Sequence, residues 1–232
     1  MGIMLVLIII SVVAVLAFLV WSCACISSGV WVKLSKCPCA AGKVTFTFDD
    51  GPDPVTTPKI LDILKRHNIR ACFFVIGSKA EKHPELVRRM VDEGHVVGNH
   101  TFHHSPLFPL SGVPCIVSEL KACDSAISNA LGAVCHEALS DRYFRPPFGV
   151  TNPDIARTVK KTGHKVVGWD VRSYDTVTVR DSLKDEDVPE AVRKCVKRIL
   201  RKAKPGSAVL LHDRLRHSPE LLEALVEELD KL

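Results

Sequence analysis

The chain has 232 residues, of which 47% are hydrophobic and 25% are charged. That composition excludes a disordered chain, and the length is sufficient for one domain with a full hydrophobic core. The formal net charge is +5, and lysines and arginines are interspersed with acidic residues along the chain, so no nucleic-acid-binding surface is predicted.

The first segment of the chain is apolar. No charged side chain occurs from Met1 to Val32, and Ile3 to Trp21 is almost entirely aliphatic and aromatic. Because about 20 apolar residues cross the hydrocarbon core of a bilayer, residues 1–28 are predicted as a transmembrane anchor or signal segment. A signal peptide usually begins with basic residues, and this segment has none, so an uncleaved anchor is favoured.

The nearest basic side chains follow the apolar segment. Residues 29–42 are rich in Ser, Cys, Pro and Gly and are predicted as a linker, with the folded domain at residues 43–232. Lys33, Lys36 and Lys43 lie just after the apolar run. On the positive-inside rule alone, these lysines would place the domain in the cytoplasm.

The nine cysteines do not predict a zinc site. Zinc sites normally combine two close pairs at a regular separation in one small folded unit. Here two close pairs precede the domain, Cys23 with Cys25 and Cys37 with Cys39. If the domain is extracytoplasmic, a disulfide of Cys115 or Cys123 with Cys135 is conceivable, but spacing does not define the connectivity.

Apolar runs alternate with helical patterns through the rest of the chain. Six runs are predicted as β-strands: Val44–Phe48, Ala71–Ile76, His95–Gly98, Tyr143–Phe144, Lys165–Trp169 and Ala208–Leu211. Six segments with apolar residues three and four positions apart are predicted as helices: Thr57–His67, Lys79–Glu93, Cys115–Leu131, Asn152–Thr162, Glu186–Lys202 and Pro219–Leu232. This alternation predicts a parallel α/β domain, either an open doubly wound sheet or a closed barrel lacking a strand or two.

Acidic residues follow the first predicted strand. Asp49 and Asp50 come directly after Phe48 and precede Gly51-Pro52. In parallel sheets and barrels, functional sites lie at the carboxyl ends of the strands. A turn accounts for Asp-Gly-Pro but not for a second carboxylate, and two adjacent carboxylates repel unless a cation or a proton separates their roles.

Histidines follow the third predicted strand. His100, His103 and His104 occur within five residues, and the spacing of four between His100 and His104 would place both imidazoles on one face of a helix. Two neutral imidazoles and one carboxylate suit zinc and related metals, and they leave coordination positions open. A histidine pair alone is often structural, but together with the acidic pair it predicts a metal site.

Two further strand ends carry polar side chains. The segment 145–149, RPPFG, follows the fourth predicted strand, and its prolines stiffen the loop that positions Arg145. A guanidinium can hold a carboxylate through two hydrogen bonds. The segment 210–213, LLHD, closes the last strand, where His212 is a candidate general acid.

The motifs TFDDGP, HTFHH, RPPFG, a Trp-Asp segment and LLHD occur in this order. The chain therefore resembles the polysaccharide deacetylases of the NodB type, carbohydrate esterase family four, from about Lys43 to its C-terminus. The resemblance implies a distorted (β/α) barrel of parallel strands. It also implies one divalent metal ion, with zinc first and cobalt, nickel or manganese as alternatives.

The resemblance further implies a role for individual residues. The metal ligands would be Asp50, His100 and His104. Asp49 would be the catalytic base, Arg145 would orient it, and His212 would protonate the leaving amine. Asp175 would be the partner that tunes His212 or Arg145.

The same resemblance implies a substrate-binding group formed by Phe148, Pro147 and Trp169, with the backbone N–H of Phe148 helping to bind the oxyanion. The segment WDVRSYDT departs from the family pattern. Many relatives carry Asp at the position of Arg172 and Trp at the position of Thr176. The loss of that aromatic side chain is expected to alter the sugar-binding groove.

The expected reaction is removal of N-acetyl groups from the amino sugars of a polysaccharide. Peptidoglycan is placed ahead of chitin-like oligomers because a small membrane-tethered enzyme suits remodelling of a cell wall, and this substrate would place the domain outside the cytoplasm. An O-acetyl polysaccharide esterase and an inactive carbohydrate-binding protein on the same fold are the alternatives. A metalloprotease lacks support because no His-Glu-x-x-His run occurs. The expected partners are the polysaccharide and the membrane, without nucleic acid, and the protein is expected to be a monomer.

Overall fold

The computed structural model describes residues 2–39, 44–132, 141–229 and 231. The strands in these residues are β1 (Leu34–Ser35), β2 (Thr45–Asp49), β3 (Cys72–Val75), β4 (Val96–Asn99), β5 (Tyr143–Phe144), β6 (Lys165–Val167), β7 (Val171–Arg172) and β8 (Ala208–His212). The helices are α1 (Gly2–Ala24), α2 (Thr56–Arg66), α3 (Gly77–Lys82), α4 (Pro84–Asp92), α5 (Val113–Leu131), α6 (Pro153–Thr162), α7 (Asp175–Thr178), α8 (Val188–Lys202) and α9 (Ser218–Leu229).

The eight strands form one sheet in the order β1-β6-β5-β4-β3-β2-β8-β7. Every pairing between neighbours is parallel. Helices connect the consecutive strands from β2 to β6 and also connect β7 with β8, as is usual for parallel pairing. The predicted distorted barrel of parallel strands is therefore confirmed.

The sheet is strongly curled. Arg145, which follows β5, donates a hydrogen bond of 2.7 Å to Asp49 at the end of β2. These strands are three positions apart in the sheet, which corresponds to roughly 14 Å across a flat sheet with strands about 4.8 Å apart. Because an arginine side chain cannot span that distance, the contact requires the sheet to fold round on itself, as in a distorted barrel.

Alternation along the strands separates an apolar outer face from a more polar interior. On β2, Phe46 and Phe48 belong to the main hydrophobic cluster, which the sheet forms with the surrounding helices. The intervening Thr47 faces the interior, where its hydroxyl accepts a hydrogen bond from Arg145. Because side chains two residues apart share a face, Asp49 also points into the barrel at the end of the strand.

Three element predictions need correction. The segment 29–42, predicted as a linker, contributes the edge strand β1, which pairs with β6, and β7 was not predicted. The predicted helix Lys79–Glu93 is two helices, because the residue before a proline is disfavoured in the α region and His83, which precedes Pro84, has φ −132° and ψ 56°. The predicted strand Lys165–Trp169 ends at Val167, since the next carbonyl, of Gly168, accepts from Arg145 instead of from a strand.

The apolar N-terminal segment is a long exposed helix. Ile3–Ala24 spans 22 residues, and its 18-residue window of highest hydropathy has a mean hydropathy of 3.4 and is not buried. Near the end of the helix, Ser22 is buried against the domain. At about 1.5 Å per residue the helix is roughly 33 Å long, enough to cross a bilayer core. Its end joins the domain: the carbonyl of Cys23 accepts a hydrogen bond of 2.9 Å from the amide of Thr151, and Ile26 is buried.

Candidate active site

A cavity of about 240 Å³ opens at the carboxyl ends of the strands. Its wall contains side chains from the ends of β2, β7 and β8 and from the loops that follow β4, β5 and β6. The lining residues are Asp49, Asp50, His100, His104, Phe148, Gly149, Trp169, Arg172, Thr176, Leu210, His212 and Arg214. The sequence-predicted motifs therefore converge on one cavity.

A buried ion pair lies at the base of this cavity. Arg145 is fully buried, and its Nη1 donates 2.7 Å to Asp49 Oδ1 and 2.8 Å to Thr47 Oγ1. Its other guanidinium nitrogens donate to the carbonyls of Val167 and Gly168. A buried charge is costly unless it is paired and hydrogen-bonded, and this guanidinium is both. The Asp49 carboxylate is consequently held in one orientation, with Oδ1 engaged.

Asp50, His100 and His104 form a group that could hold a metal ion, with one ligand atom from each lying within 4.8 Å of the others. Asp50 Oδ1 is 3.4 Å from His100 Nε2 and 3.3 Å from His104 Nε2. Two imidazoles and a carboxylate are the donor types that zinc and related metals prefer, so the residues fit such an ion. The chain thus provides three ligand atoms on one side of the cavity.

Backbone geometry brings these ligands together. The segment from His100 to His104 is not helical, because Thr101 and His104 have φ values of 68° and 53° in an irregular turn, and the turn instead of a helix face brings the two imidazoles together. Asp50 also has a positive φ, 73°, which turns its side chain away from the direction of Asp49 on the strand. His103, the third histidine, points away from the ligands, is exposed, and pairs with Glu119 at 2.7 Å.

A hydrogen bond assigns the ring nitrogens of His100. The Nδ1 atom is 2.7 Å from the carbonyl oxygen of Arg145. A carbonyl can only accept, so Nδ1 carries a proton, and Nε2 faces Asp50. When no metal ion is bound, a second proton on Nε2 would make the ring a cation and allow it to donate to the Asp50 carboxylate. Burial opposes ionisation of Asp50, but the hydrogen bond and charge of His100 hold the pKa of that carboxyl well below its usual range.

A third histidine of the cavity, His212, lies on β8, the strand next to β2. His212 is in register with Asp49 in the β2–β8 ladder. Its Nδ1 donates 2.9 Å to Asp175 Oδ1, and its backbone N–H donates 2.8 Å to Asp175 Oδ2. Burial lowers the pKa of His212, but the hydrogen bond and charge of Asp175 outweigh it and raise the pKa to about 9. Asp175 is therefore the partner of His212 and not of Arg145.

The predicted substrate-binding group comes from two loops, with Pro147 and Phe148 in the loop after β5 and Trp169 in the loop after β6. Phe148 has φ 61°, is 50% exposed, and its ring lies 5.0 Å from that of His104. Gly149 packs so closely on Trp169 that an added Cβ would lie 2.2 Å from the indole. Phe148 and Trp169 line the cavity, whereas Pro147 is buried in the loop and does not.

Three site residues were not predicted from the sequence. Arg214 Nε donates 2.9 Å to Asp50 Oδ2, and Lys79 Nζ donates 2.7 Å to the Asp50 carbonyl. Asp213 is fully buried, accepts 2.7 Å from Thr57 Oγ1, and burial raises the pKa of its carboxyl to about 7. The one sequence signal for Arg214 and Asp213 is their position directly after His212 at a strand end.

Comparison with known proteins identifies the family. The polysaccharide deacetylase family model matches residues 38–167. A chitooligosaccharide deacetylase of Bradyrhizobium sp. (strain ANU 289) is 38% identical over 170 residues, which cover 73% of this chain and 70% of the relative. The peptidoglycan-N-acetylmuramic acid deacetylase PdaA of Bacillus subtilis is 31% identical over 188 residues, covering 81% of this chain and 66% of the relative.

A solved structure agrees in fold. The peptidoglycan deacetylase PdaC of Bacillus subtilis superposes with a TM-score of 0.67 and 30% sequence identity, over 82% of this chain and 84% of the other. The matched fold, the extent of the sequence identity and the convergence of the motifs on one cavity agree with one another. The chain therefore belongs to the polysaccharide deacetylase family and is a polysaccharide N-deacetylase.

Proposed function

We propose that the protein is a metal-dependent, membrane-anchored enzyme that removes N-acetyl groups from the amino sugars of peptidoglycan. The observation that carries the proposal is the arrangement of ligand atoms from Asp50, His100 and His104 within 4.8 Å of one another, beside the separately held Asp49. Adjacent in sequence, the two aspartates have different partners and are free to do different chemistry.

The three ligands would hold one divalent ion, with zinc first. Such an ion, when bound, polarises a carbonyl and lowers the pKa of a water molecule. Asp50 Oδ1 faces both imidazoles, while Oδ2 is engaged by Arg214. Arg214 and the carbonyl contact of His100 thus fix the ligand atoms that face the ion, as outer partners do in metal sites.

Asp49 is the proposed general base. Its Oδ1 is held by Arg145, while Oδ2 lies 3.9 Å from His100 Nε2 and points towards the ligands. That oxygen is placed to take a proton from a water molecule next to the acetamide carbon. Arg145 acts through Asp49 and is a positioning residue.

His212 is the proposed general acid. An amine anion is a very poor leaving group, so breakage of the amide requires a proton on the departing nitrogen. Asp175 fixes the tautomer of His212 by accepting from Nδ1, which leaves Nε2 to donate into the cavity. The backbone N–H of Phe148 is proposed to donate to the oxygen that becomes negative during attack.

Peptidoglycan is the favoured substrate. Two enzymes similar to this chain, PdaA and PdaC, are named as peptidoglycan deacetylases. The last turn of α1 contacts the loop after the RPPFG motif, so the cavity is held close to the end of the proposed anchor. An extracytoplasmic domain tethered in this way would face cell-wall glycan, whereas a chitin-like oligomer is the second candidate.

Two other functions make different predictions. An O-acetyl esterase would depend less on His212, because an alkoxide leaves more easily than an amine anion. An inactive carbohydrate-binding protein would have no need of Asp49, Asp50, His100 and His104 converging on one cavity, as they do here. Their convergence favours an active enzyme.

The test is acetate release by the full-length protein in detergent or vesicles. Purified peptidoglycan, N-acetylglucosamine oligomers and acetylated xylan are supplied in parallel, with zinc and with a chelator. We expect release from peptidoglycan that the chelator abolishes and zinc restores. Release from xylan alone would favour the esterase, and binding without release from any substrate would favour the inactive protein.

A further inference from the structure

Three cysteines meet inside the barrel, away from the catalytic cavity. Cys37 Sγ lies 3.2 Å from Cys72 Sγ, and Cys72 Sγ lies 3.3 Å from Cys39 Sγ. Cys72 is the first residue of β3, at the end of that strand opposite the catalytic cavity. Cys37 and Cys39 belong to the segment between β1 and β2, which leads from the apolar helix into the barrel.

The cluster is enclosed by the fold. Cys37 and Cys72 are buried, and Cys39 is half-buried against them. Phe74 packs in the same cluster, and its ring lies 4.1 Å from the guanidinium carbon of Arg145. A column of interior side chains therefore connects the thiols with the base of the catalytic cavity.

We propose that Cys72 forms a disulfide with Cys39, and that Cys37 is the third thiol of an exchangeable set. The sulfur separations of 3.2 and 3.3 Å place Cys72 in direct contact with both of the other thiols. Among the described residues, only Asp50, His100 and His104 form a group that could hold a metal ion, and the three cysteines do not. Two thiolates on one tetrahedral zinc ion, with Zn–S bonds of about 2.3 Å, stand about 3.8 Å apart. A disulfide needs about 2.0 Å, so closing the bond requires a shift of little more than about 1 Å.

The positions of the thiols define the order of steps. Cys39, the more accessible thiol, attacks a small disulfide such as oxidised glutathione and displaces one glutathione thiolate. Cys72 then attacks the Cys39 sulfur of this mixed disulfide and displaces the second glutathione thiolate. Two protein thiols lose two electrons and two protons, and one glutathione disulfide becomes two glutathione thiols.

The hydrogen bonds support this order. The Cys72 S–H donates to Cys39, and these contacts lower the pKa of Cys37 and Cys39 and raise that of Cys72. Thiolate is the attacking form, so Cys39 is suited to react first. In the second step the Cys72 proton passes to the departing glutathione thiolate, which completes the two glutathione thiols.

The bond would join two parts of the fold that are distant in sequence. It would tie the segment that follows the apolar helix to β3, a central strand of the sheet. Cys39 and Cys72 are 33 residues apart in sequence. A disulfide that closes a loop of this length restricts the unfolded chain and raises the stability of the folded protein. The enclosed position also means that the bond would form without opening the catalytic cavity.

The test is peptide mapping of the full-length protein in detergent, equilibrated in a glutathione buffer with an excess of the oxidised form. After denaturation and alkylation, trypsin releases residues 37–43 and residues 71–79, CPCAAGK and ACFFVIGSK. We expect the two peptides to be linked and to carry one alkyl group in total. Separate peptides with three alkyl groups would overturn the proposal.

Variants identify the partners. Cys72→Ser should abolish the link and lower the melting temperature in the oxidising buffer by about 10 °C. Cys37→Ser should retain the link, and Cys39→Ser should form it more slowly, through the buried Cys37. Cys195→Ser, a buried cysteine bonded to the carbonyl of Ser173, is the matched control and should retain it.

Two outcomes would overturn the assignment. An unlinked peptide of residues 37–43 that carries an internal disulfide, beside an alkylated peptide of residues 71–79, would place the bond within the Cys37–Cys39 pair. One zinc or copper ion per chain that persists in the oxidising buffer, and that Cys72→Ser removes, would show that the three sulfurs bind a metal instead.

Discussion

The pair formed by His212 and Asp175 allows the proposed general acid to be tested through the substitution Asp175→Asn. The carboxylate lies 2.9 Å from Nδ1 and raises the pKa of His212 to about 9 against the effect of burial. Asparagine retains an oxygen that can accept from Nδ1 but removes the negative charge. Burial then lowers the pKa of His212 while the charges of Asp49 and Asp50 still raise it, so the value should fall to about 6.5, the usual one for histidine.

The expected loss depends on pH. At pH 8, about 90% of His212 is protonated when its pKa is about 9, and about 3% when it is about 6.5. If the protonated form is the working acid, the variant should lose about 30-fold in rate at pH 8 and less than about twofold at pH 6.

The assay is the initial rate of acetate release at saturating zinc, from pH 5.5 to pH 9.5. Both proteins carry the same ion. The shift along the pH axis between the alkaline sides of their two rate-against-pH curves therefore reports the effect of the Asp175 charge on His212. An equal loss at every pH would refute the reasoning, because it would show that Asp175 acts on geometry alone. If the alkaline sides of the two rate-against-pH curves coincide, His212 is not the general acid.

The same pair affects stability. The folded pKa of His212 is raised, so its contribution is fully present below the unfolded pKa of about 6.5 and is lost as pH rises through about 9. The free energy of unfolding of the metal-free protein should fall by about 3 kcal/mol over that interval, measured by denaturant titration. In the Asp175→Asn protein, most of this decrease in the free energy of unfolding with rising pH should disappear.

Three further substitutions test the remaining roles. Asp49→Asn should lower turnover by about 10²–10⁴-fold and leave zinc stoichiometry intact, because the base does not bind the ion. His104→Ala should lose bound zinc, measured by metal analysis after dialysis. Arg145→Met should lower the free energy of unfolding by about 3–5 kcal/mol, because the buried Asp49 carboxylate loses its partner.

Each of these has a control or a contradicting result. Equal loss of bound zinc and of turnover in Asp49→Asn would mean that Asp49 is the metal ligand and Asp50 the base, the reverse of the roles assigned above. His103→Ala is the matched control for His104→Ala, because it lies in the same turn but is exposed and pairs with Glu119. If the Arg145→Met protein unfolds at the wild-type denaturant concentration, the buried pair does not stabilise the fold.

The sequence pattern indicated the parallel α/β fold, and the structure confirms it. The alternation in Thr45–Asp49 already separates Phe46 and Phe48 from Thr47 and Asp49, so the strand could be assigned an apolar and a polar face. The two-residue strands β1 and β7 carry too few residues to show any alternation. Pairing with longer neighbours defines them, and that pairing is a tertiary property.

The disulfide predicted between Cys135 and either Cys115 or Cys123 involves a residue outside the described parts of the chain, and it stays a prediction. The contact of Cys37 and Cys39 with Cys72 was not predicted. Spacing alone suggested pairs that are close in sequence, whereas Cys72 contacts Cys37 and Cys39 because the residues directly after β1 pack against the start of β3.

What the sequence determined by itself was the type of each main element and the chemistry at the strand ends, because both depend on residues close together in the chain. Which side chains meet was decided by the curl of the sheet and its strand order. Arg145 reaches Asp49 across 96 residues, and Arg214 reaches Asp50 across 164. Such contacts form only when hydrophobic packing of helices against the sheet brings the strand ends to one place. The hydrophobic periodicity of the sequence reports local structure and does not predict these long-range contacts.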